Sequence, residues 1–108
     1  MTEPSRIEIL EQTLQSTPGN SFARYALAIE LSRAAQPEKA LEQFQYLLNH
    51  QPEYAAAYLQ AGMLLTNMGR GEEAREVFQK GVDVNRRQGN LHAQSEIEAA
   101  LESLTEAD

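Results

Sequence analysis

Two histidines, His50 and His92, are the side chains best suited to proton transfer near neutral pH or to holding a metal. Either chemistry needs partners at short spacing. The chain has no cysteine, and neither histidine has a second histidine four residues on. Each falls near the end of a segment that reads as helix, so the expectation is a surface or half-buried histidine. The serines stand outside any G-x-S-x-G context and lack a paired histidine, which leaves no activated nucleophile. "GRG" at 69–71 resembles a fragment of a phosphate-binding loop, but no strand precedes it and no Lys-Ser/Thr follows; a hairpin turn is expected. Glu72 with Glu73 and Glu96 with Glu98 suggest paired carboxylates. A carboxylate serves as a general acid when burial tunes it. The first pair is expected at a helix start and the second on a solvent face. No set of nucleophile, base and charge stabiliser assembles from these residues, so the expectation is a non-catalytic chain without metal or cofactor.

The bulk numbers narrow the remaining classes. With 108 residues the chain suits one compact domain over 1–108. The formal net charge of −7 and a pI near 4.8 repel phosphate backbones and anionic membranes. Arg86-Arg87 is the only adjacent basic pair, so no nucleic-acid partner is expected. No run of about 18 apolar residues exists to span a membrane. The start, "MTEPSRIEIL", is acidic and lacks the apolar core of a signal peptide, which makes the cytoplasm the default location.

The elements that would position any site come from an internal repeat. Sliding 21–54 onto 55–88, an offset of 34, superposes Ala23 on Ala57, Leu31 on Leu65, Glu38 on Glu72 and Ala40 on Ala74. In the same register Glu42 meets Glu76, Phe44 meets Phe78 and Gln45 meets Gln79. Within each unit the apolar residues keep helical spacing: Leu27 and Leu31, then Ala40, Phe44 and Leu48; Tyr58, Ala61, Gly62 and Leu65, then Ala74, Phe78 and Val82. Breakers separate the stripes. Pro37 suits a first helical position, and Gly69 and Gly71 supply a tight turn. Ser5 with Glu8 reads as a capping box, "TPGN" stops the first helix, Gly89 stops the fifth, and Asn90 is placed to cap a sixth. Six helices are predicted, over 5–16, 21–34, 37–50, 54–68, 71–87 and 90–104, with no strand.

These residues resemble the tetratricopeptide repeat, a pattern of W-x₂-L-G-x₂-Y, then A-x₃-F, then P, with the same period. The second unit offers Tyr58, Ala61, Gly62 and Leu65, then Ala74 and Phe78; the first offers Arg24, Leu27, Ala28 and Leu31, then Ala40, Phe44 and Pro52. Pro18 lies one period before Pro52, so helix 5–16 resembles the second half of a truncated repeat. Arg24 replaces the usual Trp. Arg86 replaces a closing Pro, which lets that helix run on toward Gly89. Residues 90–104 lack the small-residue signature and look like a terminal capping helix. The resemblance implies an all-α fold, antiparallel helical hairpins stacked as a short right-handed α-solenoid, with 21–54 and 55–88 as repeats. It also accounts for Gly62, otherwise a destabilising choice within a helix. Ala28 and Gly62 would face Ala40 and Ala74 where the two helices of a hairpin cross, with Phe44 and Phe78 filling the adjacent gap.

In the family the first helix of each hairpin lines a concave side where peptides dock. Here that implies Phe22, Tyr25, Ile29 and Arg33 in the first repeat and Leu59, Gln60, Met63 and Asn67 in the second. The set combines large apolar groups, one cation and two amides, suited to an apolar anchor with a few hydrogen bonds. The same spacing also serves packing of Ile29, Leu59 and Met63 against neighbouring helices. Tyr25 and Ile29 stand where one family variant carries Lys and Asn to grip a peptide carboxylate, so that clamp is not implied. The expected function is binding of a partner protein's peptide or helix. The alternative is self-association through Phe22, Tyr25 and Met63 or through the last helix.

Overall fold

The computed structural model describes residues 3–107 and contains six helices, with no strand among the described residues. They are α1 (Arg6–Ser16), α2 (Ser21–Arg33), α3 (Pro37–His50), α4 (Ala56–Asn67), α5 (Gly71–Arg87) and α6 (Leu91–Ala107). Their contacts divide the chain into two units, Met1–Gln51 and Pro52–Asp108.

In the first unit α1 packs on α2 and α2 on α3. Local chemistry sets the helix ends. The Ser5 hydroxyl accepts from the Glu8 N–H at 3.2 Å, and the Asn20 carbonyl oxygen of the side chain accepts from the Ala23 N–H at 3.0 Å. Pro37 begins α3 at the position where its missing N–H is harmless. The core gathers Leu14 of α1, Ala23, Leu27, Ala28 and Leu31 of α2, and Ala40, Leu41, Phe44 and Leu47 of α3. Phe44 is 1 % exposed, and Tyr25 meets its ring edge-on with centroids 6.4 Å apart. Burying such a ring stabilises the unit by about 1.5–3 kcal/mol before entropy is counted.

In the second unit α4 packs on α5, α5 on α6, and α4 also touches α6. Its core holds Ala57, Tyr58, Ala61, Leu64 and Leu65 of α4, Ala74, Phe78, Val82 and Val84 of α5, and Ile97 of α6. Two glycines permit this packing. A Cβ built on Gly62 would collide with one edge of the Phe78 ring, its Cε1 nearest and its Cζ 2.6 Å away. The Phe78 ring thus fills the notch at Gly62. A Cβ on Gly81 would lie 2.6 Å from the Tyr58 Cβ and 3.1 Å from the Ile97 Cδ1, so that glycine sits where α4, α5 and α6 converge. Asn85, 1 % exposed, is the buried polar residue of this core. Its amide donates to the Gly81 carbonyl at 2.8 Å and its oxygen accepts from the Asn90 amide at 3.3 Å.

Three helices end in the same way. The N–H of Gly69 reaches Thr66 O (3.1 Å) and that of Arg70 reaches Leu65 O (2.9 Å), closing α4. Gly89 and Asn90 repeat the pair on Arg86 and Asn85 to close α5, and Ala35 and Gln36 repeat it on Ser32 and Leu31 to close α2. The pivot residue has φ of 77° at Gly69, 76° at Gly89 and 57° at Ala35. Two predicted ends shift by more than one residue. α4 starts at Ala56 rather than 54, because Tyr54 replaces the capping Asn20 of the first unit and no side chain caps Ala55. α6 continues past 104 to Ala107, since no breaker follows Leu104. α5 is longer than α3, 17 residues against 14, as Arg86 in place of proline predicts.

Candidate protein-binding surface

Each unit presents part of the expected set on its first repeat helix. On α2, Phe22 is 71 % exposed, Tyr25 and Ile29 are half-buried, and Arg33 is exposed. Tyr25 is held by Phe44, and Arg33 meets the Glu30 carboxylate at 3.4 Å, which also takes Arg6 at 3.1 Å. On α4, Leu59 and Gln60 are half-buried, while Met63 (46 % exposed) and Asn67 face outward.

Met63 and Asn67 line a groove of about 340 Å³ with Thr66, Phe78, Ala100, Ser103 and Leu104. Its walls are the last turns of α4 and the later half of α6, with the Phe78 ring of α5 between them. Leu59 and Gln60 do not line it, and Phe22, Tyr25, Ile29 and Arg33 belong to the other unit. Sequence reasoning did not mark Thr66, Phe78, Ala100, Ser103 and Leu104 as lining this groove. The only signal for the α6 wall was the helical spacing of Leu104 with Leu101 and Ile97.

Two further clefts surround equivalent anchors. In the second unit the Tyr58 hydroxyl donates to the Pro52 carbonyl at 2.6 Å. In the first, Arg24, one period earlier, donates to the Pro18 carbonyl at 3.0 Å. Both donors reach six residues back, so Arg24 takes over the tie that Tyr58 makes. The Arg24 guanidinium also donates to Gln43 at 2.8 Å and lies 3.8 Å from the centre of the Tyr46 ring, which stacks on His50 at 4.0 Å. Burial pushes the phenols of Tyr54 and Tyr58 up from their ordinary value; for Tyr58 the Glu53 carboxylate adds to the effect. Glu53 is held below the usual carboxylate range by hydrogen bonds from Arg87 (2.8 Å) and Gln88.

The groups screened for chemistry have local roles. The His50 ring nitrogen Nδ1 lies 2.8 Å from the Tyr46 carbonyl oxygen, and His92 meets Glu96 at 3.0 Å on the surface of α6. Glu72 and Glu73 occupy the first turn of α5 and pair with Arg75 and Arg70, each at 2.8 Å. The "GRG" segment turns from α4 into α5. Among the described residues no three His, Asp or Glu side chains gather closely enough to hold a metal ion. Among the described residues no helix is long and apolar enough to cross a membrane.

Paired helices with small-residue crossings and an open face on the first helix of each pair define a helical-repeat interaction protein. A tetratricopeptide-repeat family model matches residues 31–94, and the chain belongs to that family. An uncharacterised protein of Methanocaldococcus jannaschii is 36 % identical over 62 residues, spanning 57 % of this chain and 72 % of the relative. The solution structure of a tetratricopeptide repeat domain protein from Salinibacter ruber is 28 % identical with a TM-score of 0.79, covering 84 % of this chain and 92 % of that one. A Bordetella parapertussis protein shares the fold at 24 % identity and a TM-score of 0.84, over 98 % and 92 % of the two chains. Proteins of the family bind protein partners and are typically non-catalytic scaffolds, so this fold is that of an interaction module.

Proposed function

We propose that the chain binds a peptide or helical segment of a partner protein on the open faces of α2 and α4, without catalysis or cofactor. Phe22, Tyr25, Ile29 and Arg33 serve on the first unit, and Leu59, Gln60, Met63 and Asn67 on the second. The observation that carries this proposal is the groove beside Met63, where an apolar floor is rimmed by an amide and two hydroxyls. An apolar side chain of the partner would seat between Met63 and Leu104 above the buried Phe78 ring, while Asn67 and Ser103, and Thr66 as an acceptor, bond its backbone. A short peptide on such a surface binds with a Kd of about micromolar to millimolar, because ordering it offsets much of the burial. The net charge of −7 favours a protein partner over nucleic acid.

Selection of binders from a displayed random-peptide library tests the proposal. Enriched peptides should lose binding to Met63→Asp or Phe22→Asp at unchanged helicity. Enrichment that neither substitution reduces would remove the assigned faces. The exposure of Phe22 favours one other reading, self-association through that face. Light scattering over a concentration series separates the two: a monomer throughout supports partner binding, and a dimer abolished by Phe22→Asp supports the second.

A further inference from the structure

We infer that the cleft between the start of α2 and the end of α3 binds a phosphate group, at a site separate from the groove beside Met63. The cleft has a volume of about 230 Å³, is lined among others by Gly19, Ser21, Arg24, Tyr46 and His50, and has no acidic residue in its walls. Its cation lacks a counter-ion. Every other arginine among the described residues meets a carboxylate within 3.4 Å. Arg24 has neutral partners: it donates to the Gln43 side chain at 2.8 Å and to the Pro18 carbonyl at 3.0 Å, and it lies over the Tyr46 ring. These contacts hold the guanidinium in place, and they use fewer N–H donors than the group has. Arg24 is half-buried, where a counter-ion stabilises a charge more than it does in open water.

The second repeat shows what such a cleft can hold. One period after Gly19 stands Glu53, a wall residue of the cleft around Tyr58. Its carboxylate accepts from Arg87 at 2.8 Å and from Gln88 at 3.3 Å. The first repeat has no side chain at the matching position, and a Cβ built on Gly19 would meet nothing within 4 Å. The anion that the second cleft carries in its own chain has to reach the first from outside.

The remaining wall groups favour phosphate over carboxylate. The His50 Nδ1 lies 2.8 Å from the Tyr46 carbonyl oxygen. That oxygen only accepts, so Nδ1 carries the proton and Nε2 of the neutral ring is an acceptor. The cleft thus combines the donors of Arg24, the acceptor of His50 and the Ser21 hydroxyl, which serves as either. A phosphate monoester, with a second pKa of about 6, offers bare oxygens to the guanidinium and a fraction of P–OH to the imidazole. An ionised carboxylate only accepts. One arginine in a chain of net charge −7 suits an isolated phosphate rather than a nucleic-acid backbone, which is held through several phosphates at once.

The test titrates the full chain at neutral pH and constant ionic strength with inorganic phosphate, capped phosphoserine and acetate, following amide and side-chain chemical shifts. Phosphate should bind saturably with a Kd of about millimolar and move Ser21, the Arg24 Nε–H and His50, with acetate at least about tenfold weaker. Comparing capped phosphoserine with inorganic phosphate tells a phosphorylated partner from the free ion. Two variants separate the site from the fold. Arg24→Tyr copies Tyr58 and restores a donor to the Pro18 carbonyl, and Gly19→Glu sets a carboxylate beside Arg24 as Glu53 stands beside Arg87. Each should keep the parent helicity and weaken phosphate at least about tenfold; should one unfold, the other decides. A response that does not saturate, shifts confined to other residues, acetate binding as tightly as phosphate, or phosphate affinity unchanged in a folded variant would overturn the inference.

Discussion

At the scale of single residues, the two repeats reach one geometry with different side chains. Ala35 holds the left-handed pivot that glycine holds at Gly69 and Gly89. A Cβ in that conformation costs about 1 kcal/mol. Ala35→Gly should therefore raise stability by about 0.5–1 kcal/mol in urea melts, and Gly69→Ala should lower it by a similar amount. Gly62 is the opposite case, set by space rather than by φ. Even Gly62→Ala drives a methyl into the Phe78 ring and is expected to cost about 1–3 kcal/mol. Shortening the ring with Phe78→Leu should recover part of that loss, so the double variant should be more stable than the sum of the two single losses allows. Additive losses in this cycle would show that the ring and the notch are energetically separate. Gly62 was recognisable in sequence as an anomaly within a helix. Ala35 was invisible, because nothing in its type marks the conformation the chain imposes on it.

At the scale of elements, the helices were legible nearly to their ends. Breakers with one stereochemical meaning set those ends: Pro37 at a first turn, Gly69 and Gly89 after a last one. Where the start of α4 moved, the missing signal was a side-chain function. Tyr54 cannot do what Asn20 does, and α4 starts later. The asparagine at 85 was likewise unreadable, sitting in an α5 stripe whose neighbours are valines. In the folded unit it bonds Gly81 and Asn90, and its amide approaches the Ala55 carbonyl at 3.4 Å. Asn85→Ala would leave these groups without their partner in a buried site. The expected cost is about 1–3 kcal/mol, with hydrogen exchange accelerated first at the start of α6. Unchanged exchange there would mean that Gly81 packing alone holds the helix.

At the scale of the molecule, charge is distributed unevenly. The first unit has six acidic against four basic residues and the second ten against five. Such an excess repels itself, while the exposed ion pairs return little. Moderate salt should therefore raise the urea midpoint above its value in a dilute buffer. A midpoint that falls with salt would give the ion pairs a larger share than their exposure allows. The groove proposed for binding was half legible at this scale. Repeat spacing marked Met63 and Asn67, which line it, but α6 departs from the repeat, and no spacing ties Ala100 or Leu104 to α4. Only the packing of α6 against α4 brings that wall into place.

The matched ties to Pro18 and Pro52 differ in one respect that alkali exposes. The donor on the first is a guanidinium, which keeps its proton at any pH a protein survives. The donor on the second is a phenol whose proton the fold retains beyond the ordinary tyrosine value of about 10. Above that value the unfolded chain ionises first, so the stabilisation contributed by Tyr58, and by Tyr54 beside it, drains away as pH climbs toward their raised titration points. The carboxy-terminal half should loosen under base while the amino-terminal half still holds, and Tyr58→Phe should flatten that decline in return for a weaker half at neutral pH.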